Sequence, residues 1–600
     1  EEQGGFRAGR GCVDQLFILT EVINSRREKG KHTYVAFLDF SKAYDVVWRA
    51  GMLHRLNKVG IRGRAWRVVR DMYRKVRSCV SLKGVHSEWW EFEQGVRQGS
   101  VLSPLLFSVT IIHLVQFMRE RGHGITIGDA TVSCLLFADD LVLMAEDEAG
   151  MRRVLADVDE WARQWRFVFN VDKCGVMVVG ERKLKQRKGN PSGKGKESKM
   201  KKREKWSIAA GEIKEVDSYK YLGMEREKKR GWAKYVERVV SKGRSRLYQL
   251  MMVGAHQHGL RPSTGKKLAE TIVRPVLEYG AEVLAPTQKQ AADIERVMVS
   301  AGKLITGLPR AALCDAVRGE LGWCTMAERR EVAKLKYFQR LRTLPSGRLV
   351  RKVFERRMEE AKQQRIAKAL GLKRHAKKGI GFCNDVFDIM SKYGMLDQWK
   401  IITNTDDADN VAVCEWWEGT EEKPGRKEAV EREQHKAWRQ RLMSTSKGPF
   451  YLKCKKDWGM DPCLHQQGSK SGRVWKTSSA LIVRARLPNA EARNDRTWVS
   501  HAGFDSSSAG HWSGSSRQPA FTVATCSGFI ESPTPSANAF LSRSYSLQVA
   551  SMCVWSSASP DLHTRHTLVG ERCSLFSSAC SGTALALILV FHTLPLLLPC

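Results

Sequence analysis

The stretch SCLLFADDLVLMA, Ser133 to Ala145, sets two apolar runs on either side of the neighbouring carboxylates Asp139 and Asp140. Leu135 to Phe137 and Leu141 to Met144 have the composition of short buried strands, and Ala-Asp-Asp suits a tight turn between them. Adjacent carboxylates on an apolar hairpin repel each other and resist leaving water, so they need solvent, basic partners or divalent cations. An ordinary polar turn satisfies the same pattern. A third carboxylate upstream decides between the two.

That carboxylate is Asp39. In HTYVAFLDFSKAYDVV the β-branched and aromatic residues from Thr33 to Leu38 predict a buried strand. Val35, Phe37 and Asp39 share one of its faces, which places a carboxylate at the end of an apolar stripe. Tyr44 and Asp45 follow at the start of a predicted helix that carries Val46, Val47, Met52, Leu53 and Leu56. Taken singly, Asp39 also suits a cap at the strand-to-helix junction, and Tyr44 an ordinary core aromatic.

Between Asp39 and the hairpin lies GVRQGSVLSPLLF, where Gly95 and Gly99 let the backbone approach a ligand and Gln98 can both donate and accept hydrogen bonds. Ser103 and Pro104 read as the N-cap and first position of a helix running to about Arg121. Gln98 then sits on a loop before a helix N-terminus, a place suited to a phosphorylated ligand. After the hairpin, Met151, Val154, Leu155, Val158, Trp161 and Trp165 predict an amphipathic helix over Ala149 to Arg166. Strands around Phe167 to Val171 and Val176 to Val179 flank Lys173.

Composition points the same way. The 600 residues hold 100 Lys and Arg against 64 Asp and Glu, a formal charge of +36, which makes a polyanion the expected partner. Nucleic acid comes before a membrane surface, because no long basic segment has a clean apolar face. The fifteen cysteines include no C-x-x-C pair, as expected of a reduced intracellular protein without a structural zinc. Ala584 to Leu598 is apolar but interrupted by His592, Thr593 and Pro595, and falls short of the roughly 20 residues that span a bilayer.

Residues 181–205 carry twelve Lys or Arg against three Glu, an exposed basic loop suited to nonspecific nucleic-acid binding or to nuclear targeting. VDSYKYLGMEREKK resumes ordered sequence. Helical patterns follow from Trp232 through Leu277, from Asp293 to Leu308 and from Met326 to Val353, and basic helical sequence continues to about Trp475. From Thr477 to Cys600 there is no lysine, serine is abundant and no periodicity supports a fold. That tail reads as disordered or as translated out of its proper frame.

A strand ending in Asp39, the QGSVLSPLLF loop and the FADD turn, in this order and with Asp39 and Asp139 a hundred residues apart, together resemble a reverse transcriptase. The adjoining GGFRAGRGCVDQLF and the later YKYLG are similar to the flanking motifs of non-LTR (LINE-type) retrotransposon enzymes. The resemblance covers roughly residues 1–345 and extends loosely to about 475. It implies an α+β right-hand polymerase fold. Its parts are a palm of ferredoxin-like sheet plus helices with partial fingers (1–225) and a helical thumb-like region (226–345); composition adds a basic, mostly helical extension (346–476) and a Ser-rich, Lys-free tail (477–600) that is disordered or aberrant.

It also implies RNA-directed addition of deoxynucleoside triphosphates to a DNA primer or target on an RNA template, with Mg²⁺ (or Mn²⁺) in two-metal chemistry. Asp39 and Asp139 would bridge the ions, Asp140 would assist, and Lys173 would protonate the leaving pyrophosphate. Tyr44 would be the steric gate against a ribose 2′ hydroxyl, with Gln98 and Gly99 beside the incoming nucleotide. Tyr221, Leu222 and Gly223 would form the primer grip.

The chain opens at Glu1 and not at methionine, and the family's first fingers strands would lie upstream, so a truncated and impaired enzyme is expected. A nuclear and cytoplasmic location follows. Two rivals remain: an RNA-dependent RNA polymerase, against which Tyr44 and Gln98 weigh, and a noncatalytic nucleic-acid-binding relic of a mobile element.

Overall fold

A computed structural model describes residues 1–180, 205–229, 231–253, 260–369, 381–396, 426–455 and 458–459. The lysine-rich stretch 181–204 and the tail 477–600 lie outside the described residues.

Thr33–Leu38 is buried at all six positions because it runs through the middle of a sheet packed on both faces. The strand order is Trp206–Ile208, Gly211–Glu215, Gly175–Val179, Thr33–Leu38, Asp140–Ala145 and Cys134–Phe137. Thr33–Leu38 is antiparallel to both neighbours, with Phe37 opposite Gly175 on one side and Val142 on the other. Gly175–Val179 pairs in parallel with Gly211–Glu215.

Strand alternation then sorts side chains onto two cores. Val35, Phe37, Val142 and Met144 join Leu16, Phe17 and Val22 of the helix Cys12–Glu28. Ala36, Leu38, Leu141 and Leu143 face the other way, against Leu106, Phe107 and Ile111 of Ser103–Glu120 and Met151, Val158 and Trp161 of Glu148–Trp165. The latter helix starts where the Asp147 side chain accepts the Gly150 N–H and stops at left-handed Arg166.

The first core does not end with the sheet. It continues through Ile294, Val297, Phe338, Val353 and Phe354 to Trp438 and Tyr451. Buried ion pairs span it. Arg357 of the helix Leu349–Ala369 reaches Glu21 and Glu28 of Cys12–Glu28 at 2.7 and 2.8 Å, and Asp14 accepts from Arg340 at 2.6 Å and from the Tyr337 hydroxyl at 2.9 Å.

Several local expectations change. The helix after Asp39 starts only at Arg49, because residues 41–46 are turns, with Lys42 at a φ of +49°. Leu102 and not Ser103 is the N-cap of the next helix, and the Ser103 hydroxyl instead donates to the Arg97 carbonyl. Phe167 to Val171 forms only a bridge, Phe169 to Phe40. The 326–353 helix is two, Met326–Thr343 and Leu349–Ala369, parted by Pro345 and Gly347. The described helices after Trp232 are likewise separate: Ala233–Met252, then Pro262–Leu268 leading through a π-helical turn into Arg274–Glu278.

Residues 77–91 belong to a second compact unit. Its hairpin pairs Ser81–Leu82 with Val85–His86 across Lys83 and Gly84, both at positive φ, the conformation that suits a two-residue turn. No helix among the described residues is long and apolar enough to cross a membrane.

Candidate active site

The hairpin and the central strand bring three carboxylates to one end of the sheet. Leu38 pairs with Leu141, so one further step of the same register sets Asp39 across from Asp140. Phe137 pairs with Asp140, leaving Ala138 and Asp139 as the two-residue loop. All three aspartates are half-buried.

Electrostatics separates the two carboxylates of the turn. Burial pushes the Asp140 carboxyl up to about 6, and the negative charges of Asp139 and Asp39 add to it while Lys173 and Lys220 oppose it. Its field in turn helps raise the hydroxyls of Tyr219 and Tyr221, which burial already raises. Asp139 is felt instead by Tyr44, whose hydroxyl is pushed up to about 12, first by burial and then by that charge. Strand alternation puts Asp140 on the face of Val142 and Met144, the face that Phe37 shares, and leaves Asp139 in the loop.

Lys173 places its Nζ 3.3 Å from Asp39 Oδ2 while staying two-thirds exposed. A tight turn holds it there: the Asn170 N–H donates to the Asp39 carbonyl at 2.8 Å, and the Lys173 N–H donates back to Asn170 at 3.0 Å. The hairpin Ser218–Tyr221 with Met224–Glu227 closes the same side. Tyr219 stacks on Phe37 with centroids 4.2 Å apart, and its hydroxyl donates to the Lys173 carbonyl at 2.7 Å. Tyr221 is buried beside Phe37, and Leu222 and Gly223 make the turn, both at positive φ. The turn is anchored by Tyr279, which donates to the Leu222 carbonyl at 2.7 Å, and by Arg238, which donates to that of Gly223 at 2.6 Å.

On the Asp139 side, the Tyr44 ring stacks on Phe107 at 4.7 Å, and its buried hydroxyl has no hydrogen-bond partner among the described residues. The Gln98 loop lies against the same turns. The Val96 N–H donates to the Tyr44 carbonyl at 2.8 Å, and Gln98 Nε2 donates to Asp45 Oδ1 at 2.8 Å. Gly95 has a φ of +84°, and a Cβ there would stand 2.6 Å from the Asp45 carbonyl oxygen, so no other residue fits. Gln98 and Gly99 are exposed at the loop tip.

One part of the site was not foreseen. Ala138 sits at a φ of +57°, a left-handed conformation that costs an alanine about 1–2 kcal/mol. The side chain of Gln3, fully buried, meets it on both sides: Oε1 accepts the Ala138 N–H at 2.9 Å, and Nε2 donates to the Ala138 carbonyl at 3.2 Å. The only local hint is the Gln-Gly-Gly run at residues 3–5.

A divalent cation suits this donor set in chemistry. Asp39 and Asp139 lie close enough to raise the proton affinity of the Asp140 carboxylate, and Lys173 pairs with Asp39. Among the described residues no three His, Cys, Asp or Glu side chains cage an ion unaided. Substrate phosphates and water would have to complete the shell, as is usual for Mg²⁺.

Residues 1–226 match the family model described as reverse transcriptase (RNA-dependent DNA polymerase). The chain is 28% identical over 225 residues to the Retrovirus-related Pol polyprotein from type-1 retrotransposable element R2 of Nasonia vitripennis, 37% of this chain and 21% of that protein. It is 23% identical over 358 residues to the RNA-directed DNA polymerase from mobile element jockey of Drosophila melanogaster, 58% of this chain and 37% of that protein. The chain therefore spans only about a fifth to two fifths of the length of these relatives. A telomerase from Candida albicans, solved with a TWJ fragment of telomeric RNA, aligns at 11% identity over 59% of this chain and 55% of that one, with a TM-score of 0.27 that is too low to bear on the fold. Residues 1–226 thus match the reverse transcriptase family, and the chain is similar to the RNA-directed DNA polymerases of non-LTR retrotransposons.

Proposed function

We propose that this chain adds deoxynucleotides to a DNA primer on an RNA template, with Asp39, Asp139 and Asp140 holding divalent ions, Mg²⁺ or Mn²⁺. The observation that carries the proposal is the meeting of Asp39 and Asp140 across adjacent strands, with Asp139 at the loop and Lys173 3.3 Å from Asp39. Such ions, when bound, would activate the primer 3′ hydroxyl and stabilise the charge on the leaving pyrophosphate.

The protein's own groups do the rest. The Phe107-backed Tyr44 ring limits the room at the sugar, and Gln98 with Gly99 borders the nucleotide. Lys173, exposed at its tip, hands a proton to the pyrophosphate. Tyr221, Leu222 and Gly223, on a turn braced by Tyr279 and Arg238, bear on the primer. In this reading the six-stranded sheet and its helices are the palm with partial fingers (1–225), and the helices of 226–345 are the thumb. The described helices between 346 and 476 belong to a basic extension that shares the palm's core.

The test is primer extension by the purified chain on a DNA-primed RNA template with Mg²⁺ or Mn²⁺. Template-directed deoxynucleotide addition supports the proposal. Tight binding of the hybrid with no addition under either ion points to the noncatalytic relic.

A further inference from the structure

We infer that Gln3 is a positioning residue of the active site: it holds Ala138 in the left-handed conformation that sets Asp139 in the loop and Asp140 at the start of its strand. The inference rests on the polymerase proposal for its catalytic meaning and on the geometry alone for the clamp.

Three observations converge. Gln3 spends both ends of its amide on Ala138, accepting from the N–H at 2.9 Å and donating to the carbonyl at 3.2 Å. This grips both peptide units that flank the left-handed residue, so rotation about either Ala138 dihedral breaks a bond. The amide is itself fixed: it is fully buried, and its Oε1 also accepts the Gly5 N–H at 2.7 Å. The segment carrying Gln3 is laid along the hairpin edge, where the Gly4 N–H donates to the Leu136 carbonyl at 2.8 Å and the Leu136 N–H donates to Glu2 at 3.1 Å.

The approach is so close that a Cβ on Gly5 would lie 2.3 Å from the Ala138 nitrogen. Glycine or asparagine takes a left-handed turn position without help, whereas alanine does not. The chain has alanine there and a buried amide to hold it. Were the turn to relax, Asp139 would rotate about its own backbone relative to Asp140, and so relative to Asp39 across the adjacent strand.

A double-mutant cycle on the full chain tests this, comparing wild type, Gln3→Ala, Ala138→Gly and the double variant by extension rate, hybrid affinity and thermal unfolding. Gln3→Ala is expected to lower kcat by about 10²-fold, the usual consequence of a catalytic group displaced by an ångström, with hybrid affinity within twofold. On the Ala138→Gly background the same substitution is expected to cost less than threefold, because glycine holds the turn unaided, and the loss in unfolding temperature is expected to shrink in parallel. If Gln3→Ala alone does not fold, recovery of folding in the double variant supports the clamp equally. Equal losses with and without Ala138→Gly, in rate and in unfolding temperature, overturn it. Coupling in unfolding temperature with no extension by any variant, wild type included, would uphold the clamp and reject the polymerase proposal instead.

Discussion

Tyr44→Phe and Tyr44→Ala separate ring from hydroxyl at the proposed sugar gate. The hydroxyl is buried and has no partner among the described residues, and it already lies in the field of Asp139. An unsatisfied buried polar group costs about 1–3 kcal/mol, so Tyr44→Phe is expected to leave stability unchanged or raise it by about 1 kcal/mol. The ring, stacked on Phe107 at 4.7 Å, provides the bulk, and phenylalanine keeps it there. Tyr44→Ala removes the aromatic pair and part of the packing, at a cost of about 2–3 kcal/mol. It also opens space for a 2′ hydroxyl. Steric discrimination of that size is worth about 1–3 kcal/mol, a 10- to 200-fold preference.

The assay is single-nucleotide incorporation of matched deoxy- and ribonucleotides on an RNA template, with urea unfolding run on the same preparations. Tyr44→Phe should keep the wild-type ratio of kcat/KM values and Tyr44→Ala should lose it. If Tyr44→Phe admits ribonucleotides as readily as Tyr44→Ala, the hydroxyl recognises the sugar and the steric reasoning is wrong.

Three further outcomes follow from particular contacts. Arg357→Met leaves Glu21, Glu28 and Glu360 without their shared guanidinium, so it should cost about 3–5 kcal/mol in urea unfolding, with partial recovery on adding Glu21→Gln; an unchanged midpoint would contradict the buried network. Gly95→Ala forces a Cβ against the Asp45 carbonyl at positive φ, and should raise KM for the nucleotide by displacing the Gln98 loop, whereas an unchanged KM would remove that loop from the nucleotide site. Lys173→Ala breaks an exposed pair and should change stability by less than ~1 kcal/mol, yet slow chemistry by about 10²–10⁴-fold in a single-turnover assay. An unaltered rate would exclude Lys173 as the proton donor.

What could be read from the residues alone was what depends on near neighbours. The Thr33–Leu38 strand and the FADD hairpin announce themselves through short continuous apolar runs, and the Glu148–Trp165 helix through a period of three to four. The order of Asp39, Gln98 and Asp139 suggests the family that residues 1–226 match.

What escaped depends on partners far along the chain. Nothing local tells that Gln3 will hold Ala138, that Tyr219 will stack on Phe37, or that Asp45 will accept from Gln98. The turns at 41–46 were missed because Val46 and Val47 continue the helical pattern, while the Val96 N–H and the Gly95 N–H take up the Tyr44 and Val47 carbonyls from outside. The helical pattern over 326–353 did not show where one helix gives way to the next, at Pro345 and Gly347.

The most direct measurement of the central claim is the rate of deoxynucleotide addition to a DNA primer on an RNA template by wild type, Asp39→Asn, Asp139→Asn and Asp140→Asn, with hybrid affinity determined for each. The account predicts Mg²⁺- or Mn²⁺-dependent addition by wild type. It predicts losses of a thousandfold or more for Asp39→Asn and Asp139→Asn, a marked loss for Asp140→Asn, and hybrid affinities that stay near wild type (rate losses on the order of those for transition-state charge stabilisation lost with its metal ligands). Addition that persists undiminished in Asp39→Asn or Asp139→Asn would contradict it.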